Sequence, residues 1–250
     1  IPQTYEDLLI EHAVSREALR LAFLHHKTLA RGLTGSQQQR DIGQIFDQQA
    51  SGGTLVKMMD LNMIIGSGGV LSHAPNRAQS ALMMMDAYQP EGITMLTVDS
   101  IFMMPHLGVL SEHLYEAARQ VFEHDCIVKC GHCISPVGTG KEGEPCVTVQ
   151  GDGISEAVLV GQIKVIPCGR GEFKNVEIAP SRNFDAGFGR GKAGSARLEG
   201  GTVGIIIDAR GRPFGLPSED GLRISKLKEW LQAMGLPLPG ATPAAVGVGR

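Results

Sequence analysis

The chain has 250 residues, enough for one large domain or two modest ones with a substantial core. Its formal net charge is −3 and its sequence pI is near 6.3, which excludes the strongly basic surface typical of nucleic-acid-binding proteins. The sequence contains no apolar run of about 18 residues, so we expect no membrane-spanning helix.

The N-terminus and the cysteines bear on where the protein works. The chain begins Ile1-Pro2-Gln3, without an initiator Met and without the basic start and apolar stretch of a secretion signal. We therefore expect a cytoplasmic protein that is a fragment or a processed product. Five cysteines are an odd number for a disulfide framework, so reduced thiols are expected.

Helical spacing dominates the first half of the chain. Residues 4–30 are predicted to form one long helix, capped by Thr4 and followed by Gly32, with His12 on its apolar face. A second helix is predicted over residues 75–88, with Pro75 in its first turn, and a third over residues 107–123.

The strands predict an α/β layer followed by a β-rich region. Residues 61–65 read as a strand buried on both faces, and residues 93–98 as a second strand, so the order of elements favours parallel pairing. After residue 126 the pattern changes to short runs in which apolar residues alternate, which predict strands over residues 146–149, 157–160, 163–166 and 202–207. A helix is predicted after them, over residues 223–234.

A turn of three glycines and a serine is the first candidate site. Gly66, Ser67, Gly68 and Gly69 follow a strand directly, and Ser72 lies shortly after them. Glycines at this place let a ligand approach the backbone and expose N–H donors, as phosphate-binding turns do. A tight strand-to-helix connection with no ligand is the alternative, and the local pattern leaves both open.

Several stretches together resemble a known family. Residues 62–72 (NMIIGSGGVLS) are similar to the adenosine-binding segment of actin-like ATPases. More narrowly, the chain resembles the MutL-type accessory proteins of glutamate (methylaspartate) mutase, in stretches that follow one another in order: IPQT at residues 1–4, LHHK at 24–27, the glycine turn, DSIFMMPHLGVL at 99–110 and DARGRP at 208–213.

This resemblance implies a fold and a function. The fold would be the second half of an actin-like (ribonuclease H-like) ATPase lobe over residues 1–125, then a small β-rich module with a terminal helix over 126–234 and a flexible tail over 235–250. The function would be that of an ATP-binding accessory or reactivating factor, a chaperone of an adenosylcobalamin-dependent mutase. Residues Gly66, Ser67, Gly68, Gly69 and Ser72 would form the adenosine side of the nucleotide pocket.

The sequence departs from the family pattern in the loops that bind the phosphates. The two aspartate–glycine phosphate loops of actin-like ATPases have no counterpart in this chain, so ATP or ADP and its Mg²⁺ would be completed by ligands of an upstream lobe. We therefore expect no ATP hydrolysis by this chain alone. A binding or scaffold subunit without turnover is the alternative.

Three cysteines offer a different reading. Cys126, Cys130 and Cys133 have a spacing seen in iron–sulfur and other metal sites, which would make the chain a metalloprotein. Against this, the residues around them read as a strand, whose neighbouring side chains point in opposite directions. Scattered core thiols are the favoured interpretation.

Two polar groups follow strands and could carry chemistry. Asp99 and His106 could act as a pair, although a helix-capping Asp and a buried, hydrogen-bonded His are favoured. Asp208, Arg210 and Arg212 follow the most apolar strand of the second half. Their arginines could bind a carboxylate or phosphate, or the three could form an internal Asp–Arg network.

Overall fold

A computed structural model describes residues 2–30 and 55–240 of the chain. The predicted helix stop at Gly32 and residues 241–250 of the predicted tail lie outside the described residues. The described helices are α1 (Tyr5–Leu29), α2 (Gly69–Ser72), α3 (Arg77–Tyr88), α4 (Met104–Ser111), α5 (Tyr115–Val121) and α6 (Asp220–Ala233). The described strands are β1 (Met63–Gly66), β2 (Gly92–Asp99), β3 (Ile127–Ser135), β4 (Val137–Gly138), β5 (Pro145–Gly151), β6 (Ile154–Leu159), β7 (Ile163–Ile166), β8 (Phe173–Pro180), β9 (Phe184–Asp185), β10 (Gly194–Glu199) and β11 (Ile205–Asp208).

Local capping determines where α1 begins. The Thr4 hydroxyl accepts from the Asp7 N–H at 3.1 Å, and the Asp7 carboxylate accepts from the Thr4 N–H at 3.1 Å. This reciprocal pair satisfies two helix-end donors. The predicted N-cap is confirmed. Among the described helices, none combines the length and the apolarity that crossing a bilayer requires.

The other predicted helices of the first half need correction. Helix α3 begins at Arg77, because Asn76 and Gln79 form a capping box, and Pro75 precedes it instead of filling the first turn. The single helix predicted over residues 107–123 is two helices, α4 and α5, separated at residues 112–114 and followed by a π-helical turn (Phe122–Cys126).

The central sheet has five strands in the order β1-β2-β3-β11-β7. Strands β1 and β2 are parallel, as are β3 and β11, whereas β2–β3 and β11–β7 are antiparallel. The expected parallel pairing is thus only part of a mixed sheet. Strands from both sides of residue 126 pair directly within it, and the division of the chain at that residue stays a prediction.

The expectation that residues 61–65 are buried on both faces is wrong. Strand β1 is an edge strand, so Met63 is 43% and Ile65 36% exposed. The doubly buried strand is β11, which lies between β3 and β7. Its Ile206 faces one core, while Ile205 and Ile207 face the other.

Two cores divide the molecule into three layers. One core lies between the helices α3 and α6 and the central sheet, and includes Met84, Leu96 and Trp230. The other lies between the opposite face of that sheet and a four-stranded antiparallel sheet of order β10-β8-β5-β6, and includes Val149 and Ile178. The fold is therefore mixed α/β with several sheets.

The chain stays packed beyond α6. Leu236 is buried in the helix-side core, and the Tyr5 hydroxyl donates to the Pro237 carbonyl at 2.6 Å. The flexible tail predicted from residue 235 therefore does not begin there, because this contact fixes the segment against α1.

Candidate functional site

The glycine turn lies at the open end of the edge strand. Gly66, its first residue, is buried at the end of β1. A Cβ added there would lie 2.7 Å from Met84 Sδ and 2.9 Å from Leu71 Cδ1, closer than real Cβ contacts allow. Gly66 thus lies where the strand end packs closely on Met84 and Leu71, and a side chain there would require these two side chains to shift.

The next two glycines face open space. Gly68 has φ of +106°, a conformation that side chains rarely adopt, and it precedes the four-residue helix α2. A Cβ added at Gly68 or Gly69 would meet no heavy atom of the described residues within 4 Å. Within the described part of the chain, this pair therefore leaves its Cβ side open to a ligand.

Two serines fasten the turn to the end of β2. The buried Ser72 hydroxyl donates to the Asp99 carbonyl at 2.5 Å, and the Ser67 hydroxyl donates to Asp99 Oδ2 at 3.4 Å. Arg77 adds a hydrogen bond from Nη1 to the Ser72 carbonyl at 2.7 Å. The turn is thus braced from the protein side while its glycines stay open.

Asp99 organises the chain that follows β2. Its carboxylate, fully buried, accepts from the backbone N–H groups of Ile101, Met103 and Met104 at 3.3–3.4 Å. It therefore caps the start of α4, where a negative charge is favourable. His106 is exposed on α4, so its predicted burial is wrong; it makes no hydrogen bond with Asp99 in the described part of the chain.

Asp208, Arg210 and Arg212 form a buried network. Arg210 donates from Nε to Asp208 Oδ1 at 2.9 Å and from Nη2 to Oδ2 at 3.0 Å, and Arg212 Nη2 reaches Oδ2 at 2.8 Å. The guanidinium of Arg210 also meets Asp86 at 2.7 Å, and Arg212 bonds Ser135 at 3.0 Å. The arginines' nitrogens are therefore engaged within the protein, which favours the internal network over an anion site at these two residues.

The opposite charges of this network keep its buried groups ionised. Burial alone would raise the pKa of the Asp208 carboxyl, but the charges of Arg210 and Arg212 outweigh it and hold that pKa below its usual range. Burial likewise opposes the charge of Arg210, whereas Asp208 and Asp86 raise the pKa of its guanidinium. Asp208 and Arg210 therefore remain ionised at neutral pH.

Sequence reasoning missed the rest of this network. Arg16 on α1 meets Asp86 on α3 at 3.3 Å. His12, one turn before Arg16, is buried, and its Nε2 has no hydrogen-bond partner among the residues that the structure describes. Burial and then the charge of Arg16 lower the pKa of His12 to about 4. The position of His12 on the apolar face was the one available signal.

The three cysteines proposed as metal ligands are core side chains. A bulge at Cys130 turns its side chain and that of Cys133 towards the same core, and burial raises the pKa of both thiols to about 12. Cys126 is buried at the end of the π-helical turn. Within residues 2–30 and 55–240, no group of three or more His, Cys, Asp or Glu side chains is arranged to hold a metal ion.

Comparison with known proteins identifies one relationship. A family model described as MutL protein matches residues 1–126. The matched stretch includes α1 to α5, the glycine turn and Asp99. No curated protein and no solved structure gives a significant match to the chain.

Proposed function

The chain belongs to the MutL protein family, and on that premise we propose that it is an ATP-binding accessory or reactivating factor of an adenosylcobalamin-dependent mutase. Its own part would be the adenosine side of the nucleotide pocket. The family gives the link to glutamate mutase, and the open backbone of the glycine turn is the surface to which we assign the nucleotide.

The observation that carries the proposal is the open backbone of Gly68 and Gly69 on a braced turn. Side chains at these two positions would occupy space that the structure leaves free, so the glycines keep a surface clear for a flat or phosphorylated group. Ser67 and Ser72 hold that surface in place through Asp99, which limits the ordering cost of binding.

The nucleotide would be ATP or ADP with Mg²⁺. In this proposal the turn contacts the adenosine, whereas an upstream actin-like lobe contributes the metal ligands and the phosphate loops. A bound Mg²⁺ offsets phosphate charge, and this chain's residues orient the base-side half of the ligand. Gly66, by contrast, would act through packing against Met84.

A second candidate is a binding or scaffold subunit, and exposed apolar side chains favour it. Ile65 on the edge strand, Ile101 and Phe102 after β2, and Val109 on α4 are between 36% and 66% exposed. A contiguous apolar surface formed by these side chains would suit contact with another protein. We propose the upstream lobe or the mutase as that partner.

Thermal unfolding with ADP and Mg²⁺ tests the nucleotide proposal. At about 100 times the dissociation constant, ligand binding adds about 2.7 kcal/mol and should raise the melting temperature by about 5 °C or more. Gly69→Val should abolish the shift, since the added side chain fills the open space. Gly215→Val is the matched control, because that glycine also meets no atom within 4 Å.

Reactivation of an inactivated mutase tests the accessory role separately. The protein with its upstream lobe should restore activity in an ATP-dependent manner, and Gly69→Val should not. Restoration that is equal without ATP would favour the scaffold candidate.

A further inference from the structure

A cavity outside the glycine turn opens beside the buried arginine network. It has a volume of about 380 Å³ and is lined by residues of α1, α3, α6 and the segment before α6. Its apolar side chains are Phe214, Leu216 and Leu227, and its polar wall includes Arg16 and Gln89. A cavity with an apolar body and a few convergent polar groups is typical of a small-molecule site.

The charges behind this cavity do not balance. A continuous series of contacts joins Arg16, Asp86, Arg210, Asp208 and Arg212, which is three guanidinium groups against two carboxylates. An uncompensated charge in a poorly solvated place is costly, so a bound anion would be favoured there.

The excess positive charge is available at Arg16. Its side chain is 22% exposed, against 1% for Arg210 and 2% for Arg212. In the described part of the chain its nearest ionic contact is with Asp86, from Nε at 3.3 Å and without hydrogen-bond geometry, and its two terminal nitrogens donate no hydrogen bond. Two terminal N–H groups of one guanidinium match the two oxygens of a carboxylate or phosphate.

The neighbouring Gln89, Glu17–Arg20 pair and His12 do not neutralise the positive charge of Arg16. Gln89 Oε1 accepts from the Phe214 N–H at 2.7 Å, which orients the amide and leaves its NH₂ group to donate. At the rim, Glu17 is paired with Arg20 through two hydrogen bonds of 2.6 and 2.8 Å, so the pair adds no net charge. His12, behind Arg16, is neutral at pH 7 because its pKa lies near 4.

We propose that this cavity binds a compact organic anion, a single carboxylate or phosphate on an apolar body. The anionic group contacts Arg16 and the Gln89 amide, and the apolar body packs on Phe214, Leu216 and Leu227. Among the described residues the buried network has one more positive than negative charge, and the anionic group of the ligand balances it.

Calorimetric titration of the full chain tests this with three probes that share a phenyl ring: benzoate, phenyl phosphate and benzyl alcohol. At least one of the two anions should bind, about tenfold or more tightly than the neutral alcohol, because a charged hydrogen bond is lost with the alcohol. Which anion binds more tightly distinguishes a carboxylate from a phosphate ligand. Binding of neither anion, or equal binding of all three probes, would overturn the proposal.

Variants separate ligand binding from folding. Arg16→Gln should weaken anion binding about tenfold or more, whereas Arg119→Gln, which removes an arginine paired with two surface glutamates, should not change it. Glu17→Gln removes a carboxylate from the rim and should strengthen anion binding. Leu216→Trp, at a residue 48% exposed, fills the cavity and should block binding without removing any charge. Unchanged affinity in both Arg16→Gln and Leu216→Trp would place any bound anion elsewhere and refute the assignment.

Discussion

The hydroxyl of Ser72 donates a buried hydrogen bond of 2.5 Å to the backbone carbonyl of Asp99, 27 positions further along the chain. This bond joins the glycine turn at the end of β1 to the end of β2. Since the turn has two glycines that face open space, its position depends on such contacts from the protein side. The rigidity of the proposed nucleotide surface therefore depends on this pair.

Removing that hydroxyl should destabilise the protein measurably. Ser72→Ala leaves a buried carbonyl without this donor, and we expect the free energy of unfolding to fall by about 1–2 kcal/mol in denaturant titrations. The control is Ser111→Ala, whose exposed hydroxyl bonds the Gly108 carbonyl at 2.6 Å within its own helix. Equal effects of the two substitutions would show that the contact with Asp99 contributes nothing.

Breaking the buried ion pairs of Asp208 should lower the free energy of unfolding more than breaking a surface ion pair does. Asp208→Asn leaves Arg210 and Arg212 with one carboxylate fewer, and we expect a loss of about 3 kcal/mol or more. Asp220→Asn breaks an exposed pair with Arg223 and should cost about 1 kcal/mol or less. Similar losses, measured by urea unfolding, would contradict the importance of the network.

His12 should make the protein less stable in mild acid. Its pKa in the folded state, about 4, lies below the value of about 6.5 in an unfolded chain, so the unfolded state binds the proton more readily between these values. Stability present above about pH 6.5 is therefore lost as the pH falls towards 4, by up to about 3 kcal/mol.

Replacing this histidine should flatten that dependence. Unfolding measured from pH 7 to pH 4 should show a smaller slope of the free energy of unfolding against pH in His12→Gln than in the natural protein. Some slope should remain, since burial also lowers the pKa of His132. An identical profile for His12→Gln and the natural protein would contradict the burial of a neutral imidazole.

The cysteines should be unreactive in the folded protein. All five are buried and unpaired, and burial raises the pKa of the thiols of Cys130, Cys133 and Cys146 to about 12. Because the thiolate is the reactive form, Ellman's reagent should modify them slowly at pH 8 and rapidly in denaturant. Fast modification of any thiol in the native protein would show an exposed, reactive site instead.

Local signals predicted much of the fold, and long-range contacts account for the errors. The start of α1 is encoded by Thr4 and Asp7, three residues apart, and was predicted correctly. The predicted burial of β1 on both faces was wrong, because an apolar run does not reveal whether a strand lies at the edge or the centre of a sheet. Likewise the break between α4 and α5 carries no proline or glycine signal at residues 112–114.

The sites show the same division. The sequence displays the glycines of the turn, but only the structure separates Gly66, which packs on Met84, from Gly68 and Gly69, which face open space. The buried arginine network could not be predicted from the sequence, since Arg16 and Asp86 are 70 positions apart. Either residue alone resembles an ordinary surface charge on a helix. His106 illustrates the converse, because its position after a strand suggested burial while α4 leaves it exposed.

The central claim, that the glycine turn contacts the adenosine of a nucleotide, is tested most directly by mapping backbone amide signals during titration with ADP and Mg²⁺. We predict that the largest chemical-shift changes fall on residues 66–72, that adenosine alone moves the same signals, and that Gly69→Val removes both responses. Saturation with ADP that leaves these amides unmoved, or that moves them equally in Gly69→Val, would contradict the proposal.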